Sequence, residues 1–170
     1  IAISDFTFGY ADCIQKEYSR WLEAFFEQGD GKYTFGIEGP PIPFTLPIEA
    51  RDPEEGRKLS MILRPEFDYV QDMLTRAYAH LMSIRQNPAD SNAKMLVITD
   101  EGDDARAVVQ AFKDKVRVDG APNPATTLVL SDEENSHSNL KEFGKSSCPI
   151  LVACKMVSEG IDIPSLRILV

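Results

Sequence analysis

The sequence predicts an α/β protein in which a parallel sheet flanked by helices follows a mixed linker or accessory segment. Three observations predict it. Short β-rich apolar runs recur at 95–99, 126–130, 150–153 and 167–170. Stretches with apolar residues at helical spacing separate them. A turn-rich run, Asn87-Pro88-Ala89-Asp90-Ser91-Asn92, divides this rhythm from a less regular first half. Apolar strands joined by helices belong to sheets covered on both faces and wound with right-handed crossovers. Two regions are therefore expected, 1–90 as the linker or accessory segment and 91–170 as the sheet domain.

Within the first region, Ile14, Tyr18, Trp21, Leu22 and Phe25 fall at helical spacing and predict an amphipathic helix over 11–26. Gly29-Asp30-Gly31 reads as a turn, because neither a preceding apolar strand nor a following helix gives it the setting of a phosphate-binding loop. A short strand is expected over Lys32 to Ile37. From Glu66 to Ile84, Phe67, Val70, Leu74, Ala77, Leu81 and Ile84 recur every three or four residues, which predicts a long helix with one buried face. The second region opens with a strand at Met95 to Thr99. Asp100, Glu101, Asp103 and Asp104 then start a helix carrying Ala105, Val108, Val109 and Phe112. Acids there suit capping and the helix dipole better than a metal site. Thr126 to Leu130 reads as a strand, Ser136 to Phe143 as a short helix, Ile150 to Ala153 as the next strand and Arg167 to Val170 as the last.

A chain of 170 residues that is 43% hydrophobic can bury a substantial core. No apolar run approaches a membrane span, and the first residues lack the features of a signal peptide, so a soluble, cytoplasmic protein with no membrane partner is expected. Cys13, Cys148 and Cys154 form no CxxC pair and read as ordinary reduced thiols, with no metal site implied. The net charge of −9 argues against strong independent binding to nucleic acid. It leaves room for part of a motor that touches a strand through a few amides and hydroxyls while another domain supplies the positive charge. The missing initial Met and the apolar run at Val170 lead us to expect a piece of a larger protein. His80 reads as a helix-surface residue, and His137 as part of a helix start without catalytic partners.

Ligands of such sheets bind beyond the carboxyl ends of the strands, which directs attention to the loops at 99–104, 131–135 and 154–164. The last runs Cys154-Lys155-Met156-Val157-Ser158-Glu159-Gly160-Ile161-Asp162-Ile163-Pro164, between two apolar strands. Gly160 permits a tight turn or a close approach to a ligand, and Asp162 can hold a hydroxyl or a cation. A Gly-x-Asp alone is common in solvated turns. With its flanks, the segment resembles motif V of superfamily 2 helicases, in which an apolar strand leads through a short loop to Gly-apolar-Asp-apolar-Pro and a further strand. Met95 to Thr99 with the following helix resembles motif IV. Leu140-Lys141-Glu142-Phe143 resembles the helix ahead of the motif V strand. The likeness spans about Lys94 to Val170 and points to the second RecA-like domain of a DEAD/DEAH-type helicase. Phe6 to Ile14, with Tyr10-Ala11-Asp12, is similar to the segment that leaves the first motor domain in such proteins.

The resemblance implies ATP, with Mg2+, held mainly by a first RecA-like domain, and nucleic acid, DNA favoured, as the partner. By position, Gly160 and Asp162 become nucleotide-side residues, while Lys155, Ser158 and Cys154 face the strand. Many family members carry Thr where this chain has Cys154, and a thiol is a poor phosphate donor. No catalytic residue is expected in this chain. It lacks a Gly-x4-Gly-Lys-Ser/Thr loop and a Walker B pair, Arg167 lies too close to the motif V strand to serve as an arginine finger, and the chain alone should be inactive. The alternatives are the motor of a restriction-type duplex DNA translocase, a small-molecule-binding regulatory α/β domain, and a structural interaction module.

Overall fold

A computed structural model describes residues 29–33, 42–46, 63–65, 68–130, 135–154 and 163–170. The chain divides between Pro47 and Ile48 into two compact units. In the first, strand β1 (Gly29–Tyr33) pairs antiparallel with β2 (Ile42–Leu46), from Gly29 opposite Leu46 to Tyr33 opposite Ile42. The expected turn at Gly29-Asp30-Gly31 is therefore corrected to strand. Its backbone groups join a ladder whose partner lies more than ten residues ahead, and glycine's freedom admits extended backbone as readily as a turn. The expected helix over 11–26 and the Phe6 to Ile14 segment lie outside the described residues.

The second unit runs α1 (Asp68–Arg85), β3 (Lys94–Thr99), α2 (Gly102–Asp114), β4 (Thr126–Val129), α3 (Ser136–Lys145), β5 (Ile150–Cys154) and β6 (Leu166–Leu169). Its four strands form one parallel sheet in the order β4-β5-β3-β6. This is the α/β architecture the sequence predicts, a parallel sheet flanked by helices, and it is consistent with a RecA-like fold. Residues in register share a face. Met95 lies beside Ile150, and Val97 beside Val152; both pairs pack with Val70, Leu74, Tyr78 and Leu81 of α1 and with Ala105, Val108 and Phe112 of α2. The intervening Leu96, Leu151, Ala153 and Val129 pack on the other face with Leu140 and Phe143 of α3. Alternate burial along one strand thus separates two cores, which is what helices on both faces require.

Helix α1 belongs to this sheet unit. The expected region boundary near residue 90 and the observed division after Pro47 differ because the apolar face of α1 closes the same core as β3 and β5. Pro88–Asp90 forms a single 3-10 turn capped by Asn87, whose side chain accepts from the Ala89 amide at 3.1 Å. The Arg85 guanidinium donates to the Ala93 carbonyl at 3.0 Å, and Arg167 meets Asp90 at 3.1 Å. The link between α1 and β3 is thereby held short.

Two polar side chains in the cores were not foreseen. Tyr78 is fully buried on α1, beside the expected Ala77, which packs partly buried on the same core, and its hydroxyl donates to the Pro122 carbonyl at 2.7 Å. Burial raises its pKa above the ordinary 10.0, opposed by the charge of Arg85. Lys94 is fully buried at the start of β3. Burial pushes its pKa down, with Cys148 opposing and Arg85 reinforcing that shift. No described helix is long and apolar enough to cross a membrane.

Replacing Tyr78 with Phe deletes the bond to Pro122 and is expected to cost about 1 kcal/mol of stability. A raised phenol pKa stabilises the fold fully below the unfolded value of 10.0 and loses that contribution as pH climbs through the folded value. Urea denaturation should therefore show the wild type weakening above the ordinary tyrosine pKa, with Tyr78→Phe lacking that part of the decline. Parallel curves for the two proteins would contradict the assignment.

Candidate functional site

Strands β3 and β5 lie side by side, yet the chain leaves them in opposite directions. From β3 it passes to β4 at the far edge, and from β5 it passes beyond β3 to β6. Helix α2, which follows β3, covers the α1 side of the sheet, whereas Ile163, ahead of β6, is buried in the cluster on the α3 side. Divergence of this kind between neighbouring parallel strands opens a crevice beyond their carboxyl ends. The site candidate therefore lies where Thr99 and Cys154, register partners at that edge, end their strands.

Local bonds fix this edge. The Cys154 thiol is only 6% exposed and donates to the Asp100 carbonyl at 3.2 Å, tying the end of β5 to the loop after β3. The Thr99 hydroxyl donates to the Glu101 carbonyl at 3.0 Å, and the Ala105 amide donates to the same carbonyl at 3.1 Å as α2 begins. Glu101 occupies the N-cap position with extended backbone, but its side chain makes no capping bond. Side-chain capping was among the roles expected of these acids; Asp103 and Asp104 in the first turn instead act through the helix dipole. A cleft of about 710 Å3 opens beside this edge, between Thr99 and Glu101, at the end of β3 and in the loop after it, and Val70 and Met73 of α1.

Of the five residues expected at the site, Cys154 is described. Lys155, Ser158, Gly160 and Asp162 lie outside the described residues. Cys154, expected as the first residue of the loop, is the last residue of β5, with its thiol turned onto backbone. Sequence reasoning missed the carbonyl of Asp100 as its partner. The signal in the sequence was that both residues directly follow apolar runs, and their adjacency depends on β3 and β5 being neighbours.

Other groups are accounted for locally. Arg167 donates to the Pro164 and Leu166 carbonyls at 2.8 and 3.2 Å besides meeting Asp90, so it clips the start of β6. His80 is exposed on α1. His137 falls in the first turn of α3. Among the described residues no group of three or more His, Cys, Asp and Glu could hold a metal ion.

No family model matches the chain. It is 26% identical over 166 residues to an uncharacterized protein of Mycobacterium tuberculosis, a match covering 97% of this chain and 26% of that protein. An uncharacterized protein of Mycobacterium leprae is 29% identical over 106 residues, covering 62% of this chain and 16% of that one. The chain thus spans about a quarter or less of the length of these curated relatives. Among solved structures, the crystal structure of the Pyrococcus furiosus Hef helicase domain is similar over 58% of this chain and 18% of that chain. The TM-score is 0.45 and the identity 18%.

Because its thiol is buried on backbone, Cys154 is expected to matter for the edge and not for direct contact with a ligand. Cys154→Ala should lower stability by about 1 to 2 kcal/mol in chemical denaturation, from the lost sulfur and its bond to Asp100. Cys154→Ser, which keeps a donor, should lose less. An alanine variant as stable as the wild type would remove the thiol from the set of bonds that hold the two strand ends together.

Proposed function

We propose that the sheet unit is the second motor domain of an ATP-dependent nucleic-acid helicase or translocase, and that its ligand edge is the carboxyl end of β5. One observation carries this reading. The segment that resembles motif V begins at Cys154, the last residue of a strand flanked on both sides, next to the loop after β3 and at the divergence point of the sheet. That is where open parallel sheets bind ligands. A resemblance of the same length on an edge strand, or at the amino ends, would have no such support.

In this reading Gly160 and Asp162 approach the nucleotide, Asp162 as an acceptor for a ribose hydroxyl or for a donor of the first motor domain. Lys155 offers a point charge to a backbone phosphate, and Ser158 a hydroxyl or amide. Cys154 contributes its position, and its thiol stays on Asp100. The first motor domain holds most of the ATP and Mg2+. Closure of the cleft on ATP and its release after hydrolysis would then alternate the grip on successive phosphates. Contacts to phosphate give no base preference, so binding is expected to be insensitive to sequence. The net charge of −9 fits a domain that relies on a partner for most of its phosphate neutralisation.

The test is ATP hydrolysis with and without single-stranded DNA, by the intact protein and by this 170-residue chain. Stimulated turnover is expected from the intact protein alone. In the intact protein, Asp162→Ala should lower stimulated kcat by about tenfold or more, the scale for loss of a polar contact made in the reacting complex. Turnover by the chain alone would overturn the division of labour, and an Asp162→Ala protein with full stimulated activity would remove the residue from the site.

A further inference from the structure

The buried ammonium of Lys94 is compensated in an unusual way. Its Nζ donates to the carbonyls of Ser146 and Cys148, at 2.5 and 3.1 Å, and lies 4.6 Å from the centroid of the Phe143 ring. Among the described residues no carboxylate pairs with it. Both acceptors belong to the turn between α3 and β5, at the carboxyl end of α3, where the helix dipole is negative. The face of the Phe143 ring adds a cation–π contact. A helix end, two carbonyls and an aromatic face thus stand in for a counter-ion.

The same residue joins other starting points of the sheet. Its amide donates to the Ser165 carbonyl at 2.8 Å, just ahead of β6, and the next amide, of Met95, donates to the Pro149 carbonyl at 2.8 Å, just ahead of β5. Around the turn, Ser146 is already held by its amide, which donates to Glu142 and Phe143 at 2.9 and 3.1 Å, and by its hydroxyl, which donates to Phe143 at 2.9 Å. The Cys148 amide donates to the Ser146 hydroxyl at 3.3 Å, a long bond. These contacts are short in range and leave the carbonyl side of the turn to Lys94.

We infer that the charge of Lys94 is a latch that fixes the α3–β5 turn in one conformation, and that it adds little to net stability. The physical ground is the balance at a buried charge: taking an ammonium out of water offsets most of what its bonds return, and the two carbonyls it would leave belong to the half-exposed residues Ser146 and Cys148, open to water. What an apolar residue cannot replace is the directed bonding of one donor group to two carbonyls. Methionine has the right length and flexibility to fill the space of the stem, so it isolates the charge from the volume.

The experiment compares Lys94→Met with the wild-type chain by thermal melting and by residue-resolved amide hydrogen exchange. The melting temperature is expected to stay within about 5 °C of the wild type, less than 1 to 2 kcal/mol for a domain of this size. Exchange at the Ser146 and Cys148 amides is expected to quicken by about tenfold or more, while the ladder amides of Val97 and Val152 keep their wild-type rates. Unchanged exchange at Ser146 and Cys148 would overturn the latch. A Lys94→Met chain that fails to fold, or that melts far below the wild type, would also overturn it, by showing that the charge supplies net stability. Acceleration spread equally through Val97 and Val152 would do the same, since it reports a general loss of stability.

Discussion

The sheet depends on a constraint at β5, whose five residues Ile150–Cys154 are all buried. A strand with parallel neighbours on both edges and no exposed face must be apolar throughout, and each of its faces needs its own cover. Ile150, Val152 and Cys154 look to α1 and α2, while Leu151 and Ala153 look to α3. The two helical layers, the division of the core and the divergence of the chain at β3 and β5 all follow from satisfying that one strand. So does the position of the candidate site, because a strand buried along its whole length can present a ligand only with the loop at its end.

Much of this was legible from residue order. The strands that begin at Thr126 and Ile150 start where the apolar runs start, and those over 95–99 and 167–170 shift by one residue at their first position. Helix α2 opens among its acids, with Glu101 at the N-cap position and Asp103 and Asp104 in the first turn. The differences share a cause. Gly29-Asp30-Gly31 became strand, Tyr78 joined the buried face of α1 on which Ala77 is only partly buried, and α1 clusters with the sheet unit, each because of partners distant in sequence. A periodicity gives the apolar face of α1 but not what it closes over.

Lys94 was the least legible residue of all. A lysine that opens a strand ordinarily keeps its charge in water, and nothing near it in sequence hints at acceptors more than fifty residues away. At the candidate site the pattern of 154–164 could be read directly, since its chemistry lies in contiguous residues. The bond from Cys154 to Asp100 could not be read, because it spans 54 positions and depends on strand order. Of that segment the structure describes Cys154 at its beginning and Ile163 and Pro164 at its end, with Ile163 in the α3-side cluster.

The proposed motor role makes the carboxyl edge of β3 and β5 one working surface that acts with a first motor domain. Hydrogen exchange in the intact protein, with and without ATP and single-stranded DNA together, tests this most directly. Protection is expected to rise at the loop after β3 and through 154–163, and to stay unchanged at the opposite edge, around Lys94 and Ile150. Ligand-induced protection confined to that opposite edge, or no change anywhere along 154–163, would contradict the account.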